Sequence, residues 1–128
     1  MDVLGSLVVS GKAIDKELVG TILKPFLRID GETCTVIPGS KWAKLSNEAK
    51  LLLFLLARKG MKALELPIEH EDVSPSEVEQ EVGIKGGSLR PMLRKLLDQK
   101  VLAQTSDGLY YIPTYSLESV KSLAESWN

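Results

Sequence analysis

The chain has 128 residues, 44% of them hydrophobic and 26% charged, with a formal net charge of −1. These values are typical of a soluble globular protein, and the length is sufficient for one domain with its own core. The longest apolar run, residues 51–57, is too short to cross a membrane. No charged and apolar leader begins the sequence, so we expect a cytoplasmic protein. The near-zero charge argues mildly against nucleic-acid binding, because phosphate contacts need clustered Lys and Arg.

The sequence offers few residues for catalysis or metal binding. Cys34 is the single cysteine and His70 the single histidine, which excludes an intramolecular disulfide and argues against a thiolate zinc site. His70 lies in an acidic stretch that is typical of a solvated loop. The sequence has no glycine-rich phosphate loop, no nucleophile motif and no metal-ligand spacing. We therefore expect no enzyme activity, no cofactor and no metal.

Residues 1–44 predict an N-terminal extension made of one helix and one hairpin. Apolar residues recur at helical spacing over 14–26, and Pro25 ends or kinks that helix. The pair Asp30 and Gly31 separates two apolar or β-branched runs, which is a strong hairpin signal. This extension either packs on the main domain or mediates dimerisation.

The second predicted helix is the central buried one. Ser46 is placed as its N-cap, and residues 51–57 are apolar in nearly every direction around the helix. The pattern allows the helix to continue past Gly60 as far as Leu64.

A short third helix has the clearest local signature in the chain. Ser74 can cap it, Pro75 suits the first helical position, and Glu77 completes a capping box. Val73 and Val78 are placed to form a hydrophobic staple across the same end.

A fourth helix is predicted over residues 88–99. Gly83 can adopt the left-handed conformation that ends the third helix. Because proline is tolerated only in the first turn of a helix, Pro91 predicts that the fourth helix starts near Ser88. One face of this helix is apolar, and the opposite face carries Arg90, Arg94 and Lys95. A hairpin over residues 101–112 turns at 106–108, and Ser116 can cap a last helix.

The order of elements over residues 45–128 resembles the winged helix-turn-helix superfamily. The most specific part of this resemblance is the stretch SPSEVEQEVGIKGGSLRPMLRKLLDQKVLAQTSDGLYYIP. Gly83, Ile84 and Leu89 match the glycine and the two apolar positions of such a unit. Glu79 departs from the pattern, because that position is usually small. The resemblance implies a mainly α fold with a small β-hairpin wing, carrying the N-terminal helix and hairpin as an extension.

The resemblance also implies that the helix after the turn enters the major groove of DNA, where base edges present a readable pattern. The charge distribution is compatible with this, because 65–81 contains seven acidic residues and no basic one, whereas 85–100 contains five basic residues and one acid. The implied DNA-binding residues are Lys85, Ser88, Arg90, Arg94, Lys95, Thr105 and Ser106.

Two main functional hypotheses remain open on the sequence. The first is a transcriptional regulator that binds double-stranded DNA as a homodimer, with an interface made by the apolar residues Leu4, Leu7, Val8, Leu117, Val120 and Trp127. The second is a winged helix that serves as a protein-interaction module in a larger complex. The neutral charge, the acidic helix before the turn and the hairpin tip without Lys or Arg favour this hypothesis. A regulator with a small-molecule effector is a third possibility, although no pocket can be recognised in the sequence.

Overall fold

Five helices and two short antiparallel hairpins form the part of the chain that the computed structural model describes, namely Leu4 and residues 15–127. In chain order the elements are α1 (Lys16–Leu23), β1 (Leu27–Asp30), β2 (Thr35–Pro38), α2 (Asn47–Ala63), α3 (Pro75–Val82), α4 (Gly86–Asp98), β3 (Ala103–Gln104), β4 (Tyr110–Tyr111) and α5 (Leu117–Ala124). The fold is therefore mainly α with small β hairpins, as predicted. None of the described helices is both long enough and apolar enough to cross a membrane.

Side-chain caps fix the starts of two predicted helices. Ser46 accepts a hydrogen bond from the Ala49 amide at 3.1 Å. At α3 the Glu77 amide donates to the Ser74 hydroxyl at 3.2 Å, while the Ser74 amide donates to Glu77 Oε1 at 3.3 Å. This reciprocal pair is the capping box that the sequence predicted, and it satisfies amides that the helix itself leaves without partners.

One continuous core surrounds α2, whose residues from Leu51 to Ala57 are all buried. The apolar spacing of the sequence predicts one contact cluster that joins α2, α3 and α4, and the structure confirms it. Val82 is partly buried at its edge, and the other members are buried: Leu51, Phe54, Leu55, Ile84, Leu89, Leu93 and Leu96. Leu93 is 2% exposed, so the predicted phase of α4 is correct.

The described N-terminal elements belong to the same core. Val19, Ile22 and Leu23 of α1 are buried against α2 and α5, and Phe26 meets Trp127 edge-to-face with ring centroids 6.1 Å apart. The extension therefore packs on the helices that follow it. Residues 31–34 form the turn of the β1–β2 hairpin, and the Cys34 amide donates to the Asp30 carbonyl at 2.8 Å. The left-handed residue of this turn is Cys34, with a φ of 55°, and not Gly31.

The prediction that Leu117 and Val120 contribute to a dimer surface is wrong. Leu117 and Val120 are buried in the chain's own core, where α5 packs on α1, and Trp127 is partly buried there. Their apolar surface is thus already covered within one chain. Leu4 is 71% exposed, whereas Leu7 and Val8 lie outside the described residues.

The predicted start of the fourth helix is also wrong. Helix α4 begins at Gly86 with Lys85 as N-cap, so Ser88 is its third residue and not its cap. Pro91 consequently lies inside the helix, where it cannot donate to the carbonyl of Gly87. Gly87 is exposed, so water can solvate that carbonyl and the helix accommodates the proline.

Candidate nucleic-acid interface

A three-residue turn sets the position of α4 relative to α3. Gly83 ends α3 in the left-handed conformation, with a φ of 81°, and its amide donates to the Glu79 carbonyl at 3.0 Å. Such a φ is accessible to glycine without steric cost. Ile84, which follows, is 2% exposed and anchors the turn in the core. The turn thereby leaves one side of α4 against the core and the other side in solvent.

The solvent side of α4 carries two arginines one helical turn apart. Arg90 and Arg94 are exposed, and neither forms an ion pair with any described residue. With Pro91, Lys95 and Asp98 they line a shallow surface groove. Like charges four residues apart destabilise a helix by about 0.2–0.5 kcal/mol, and a bound anion would relieve this repulsion.

Lys95 differs from the two arginines because it has a partner in the fold. Its Nζ lies 3.0 Å from Oε1 of Glu48, in the first turn of α2. The pair is partly exposed, with 57% of the Lys95 side chain accessible, so its contribution to stability is small. Glu48 nevertheless lowers the net positive charge of the α4 groove near Lys95.

The N-terminus of α4 combines donors for an anion with a nearby carboxylate. Lys85 and Ser88 are exposed there, as a phosphate contact would require. However, the Glu79 side chain of α3 lies against Gly86, where an added Cβ would overlap Glu79 Oε1. Because Gly86 has no side chain, the Glu79 carboxylate has room beside the start of α4. The carboxylate opposes any phosphate that approaches this helix end.

The β3–β4 hairpin presents a small polar tip. The Thr105 hydroxyl accepts from the Leu109 amide at 3.1 Å, so it stabilises the turn and is only partly exposed. Ser106 and Asp107 are exposed, and the tip carries no basic residue. Val73 forms an antiparallel bridge with Tyr110, which connects the hairpin to the segment before α3.

The structure thus brings together only part of the predicted site. Arg90, Arg94 and Lys95 share one groove on α4, while Thr105 and Ser106 lie outside that groove, on the hairpin. Sequence reasoning missed Glu48, because it lies 47 residues from Lys95 along the chain and no local pattern connects the two. In the described part of the chain no cluster of His, Cys, Asp and Glu is arranged to hold a metal ion.

Comparison with known proteins gives no match: no protein-family model, no curated protein and no solved structure is significantly similar to this chain.

Proposed function

We propose that the chain is a winged-helix protein that binds double-stranded DNA, and that it acts as a transcriptional regulator in the cytoplasm. In this proposal α4 enters the major groove with its solvent side facing the bases. The observation that carries it is the pair Arg90 and Arg94, both exposed, one turn apart and without an ion-pair partner among the described residues. Arginine can donate two hydrogen bonds to O6 and N7 of one guanine.

The arrangement of the elements supports the same proposal. A major groove about 12 Å wide admits one helix, and the three-residue turn leaves α4 projecting its basic side away from the core. The bridge between Val73 and Tyr110 attaches the hairpin to the segment before α3, which is compatible with a wing in the proposed winged-helix fold. Because one such domain reads few base pairs, we propose that two copies bind together.

A second candidate function is a protein-interaction module, and two observations favour it. Glu79 places negative charge beside the start of α4, and the exposed tip residue Asp107 adds another to the hairpin. Both charges oppose the phosphate backbone of DNA. In this alternative the same basic side of α4 would contact an acidic protein surface.

Binding to random-sequence duplex DNA over a salt series separates these two functions. We expect measurable binding by fluorescence anisotropy at low salt, with the logarithm of the association constant falling linearly as the logarithm of salt concentration rises. The slope gives the number of phosphates contacted. If the purified chain fails to bind duplex DNA even at low salt, the DNA-binding proposal is wrong and the protein-interaction module takes its place.

A further inference from the structure

A cleft away from the α4 surface brings opposite charges together without pairing them. It has a volume of about 260 Å³ and lies between the β1–β2 turn, α2, the segment before α3, and α3 itself. Arg58 of α2 and Glu77 and Glu81 of α3 line it. Within the described residues no ion pair joins Arg58 to either carboxylate. The cleft thus has a positive group and two negative groups that do not form ion pairs with one another. Such a cleft suits a ligand that carries one positive and one negative charge.

The negative charges of Glu77 and Glu81 on one side of the cleft are not balanced by a basic residue of α3. Glu77 and Glu81 are four residues apart on α3, and such like-charged pairs destabilise a helix. Glu81 also lies in the last turn of α3, where no basic residue is present and the helix dipole disfavours a negative charge. Glu77 uses Oε1 for the capping box, whereas Glu81 has no hydrogen bond to any described residue. A ligand ammonium group would offset all of these repulsions.

Arg58 supplies the opposite charge and is held in place by backbone carbonyls. Its Nη2 donates to the His70 carbonyl at 2.6 Å, and its Nε lies 3.5 Å from the Glu71 carbonyl. No described residue accepts a hydrogen bond from Nη1, so that nitrogen keeps its donors for a ligand. A guanidinium binds anionic groups such as a carboxylate or a phosphate through charge-assisted hydrogen bonds, which are roughly twice as strong as those to neutral acceptors.

The remainder of the lining is polar at Thr33 and Thr35 and apolar on another side, and the small volume of the cleft limits the size of a ligand. Phe54, which is 6% exposed, and the partly buried Ile68 lie beside the charged groups. A cleft of about 260 Å³ is below the ~300–1,000 Å³ typical of sites for drug-sized ligands. The space therefore suits a compact molecule with one apolar substituent.

We propose that this cleft binds a free α-amino acid with a small apolar side chain. Its ammonium group would contact Glu81 and Glu77, its carboxylate would contact Nη1 of Arg58, and its side chain would lie beside Phe54. The proposal concerns a site separate from the α4 surface, so it stands or fails independently of DNA binding. A ligand there would connect α2, α3 and the N-terminal hairpin.

Cys34 provides a direct test because it is the single cysteine of the sequence and lines the cleft. The rate at which a thiol reagent modifies Cys34 is measured in the full chain with L-alanine, L-valine or L-leucine added at millimolar concentrations. At ten times the Kd of a binding amino acid, we expect modification to be about tenfold slower, since about a tenth of the sites remain free. If none of the three slows the reaction in a saturable way, the proposal is overturned.

Two derivatives and two variants test the assigned contacts. Valinamide lacks the carboxylate and N-acetylvaline lacks the ammonium group, so protection by either one at the same concentration as by L-valine overturns the zwitterion assignment. Glu81→Gln removes a charge from the cleft without breaking a hydrogen bond of the described fold, and we expect binding at least tenfold weaker. Glu79→Gln makes the same change on α3 outside the cleft lining and is expected to bind as the parent does. Equal binding by both variants also overturns the proposal.

Discussion

The carboxylate of Glu79 lies against Gly86, so that the last two turns of α3 place a negative charge at the positive end of α4. This contact joins the two helices of the proposed DNA-binding unit. It is also unfavourable for a phosphate at the start of α4, because both negative groups would approach the same amides.

Neutralising Glu79 should strengthen binding to non-specific DNA. A charge beside a helix terminus contributes about 0.3–1 kcal/mol at low ionic strength, which corresponds to a roughly two- to fivefold change in Kd. We expect Glu79→Gln to lower the Kd for random duplex DNA by that factor, measured by fluorescence anisotropy. Glu118→Gln, an equal charge change on α5, serves as the control. A Kd for Glu79→Gln that matches this control would mean that no phosphate approaches the start of α4.

Leu93 should be essential for stability because it is 2% exposed on the core side of α4. Truncation of a buried leucine removes apolar contacts and leaves a cavity, at a cost of about 2–5 kcal/mol. We expect Leu93→Ala to lower the free energy of unfolding by that amount in urea denaturation. Arg94→Ala, at the next and exposed position, should change it by less than about 0.5 kcal/mol. Equal effects of the two substitutions would contradict the orientation of α4.

The capping box at α3 should be measurable separately from any ligand binding. Ser74→Ala removes the hydroxyl that accepts from the Glu77 amide at 3.2 Å, and loss of such a cap costs about 0.5–2 kcal/mol. Ser76→Ala, in the exposed part of the first turn, retains the cap and should leave the free energy of unfolding almost unchanged. Urea denaturation of both variants makes the comparison, and equal stabilities would show that the box contributes nothing.

Asp30 should make the stability of the β1–β2 hairpin dependent on pH. Hydrogen bonds from the backbone amides of Thr33 and Glu32 favour its ionised form and hold its pKa below the usual 3.8. A carboxyl whose pKa is lowered by folding stabilises the native state above its unfolded pKa, and this contribution disappears as the pH falls through the folded pKa.

Two measurements check this dependence. An NMR titration should give the Asp30 carboxyl a pKa below 3.8. The difference in unfolding free energy between the parent and Asp30→Ala should be largest at neutral pH and should shrink as the pH falls below that value. Glu32→Ala keeps both backbone donors and should not reproduce this trend. A difference that stays constant from neutral to acidic pH would contradict the role of these hydrogen bonds.

Local patterns in the sequence predicted most of the helices and the core residues they share. The box formed by Ser74 and Glu77 depends on residues three positions apart, and the apolar face containing Leu93 depends on helical spacing, so both can be recognised from the sequence alone. The start of α4 could not be predicted in this way. The rule that proline occurs only in a first turn failed at Pro91, because the carbonyl it leaves without a partner belongs to the exposed Gly87.

Features that depend on distant residues were beyond sequence reasoning. The pair Lys95 and Glu48 joins α4 to α2, and the cleft lined by Arg58 and Glu81 draws on four parts of the chain. Each of these arrangements exists only once the core has fixed the helices relative to one another. The charge of the proposed DNA-binding surface therefore requires the structure, although Arg90 and Arg94 were identified from the sequence.

The central claim is that Arg90 and Arg94 contact DNA, and the double variant Arg90→Ala/Arg94→Ala tests it most directly. Lys16→Ala/Lys121→Ala removes the same charge from exposed positions on α1 and α5 and is the matched control. At moderate salt we expect the control to bind duplex DNA nearly as the parent does, and the arginine variant to lose about 1–3 kcal/mol for each arginine that reads a base. Binding by the arginine variant that equals the parent's would contradict the proposed insertion of α4 into the major groove.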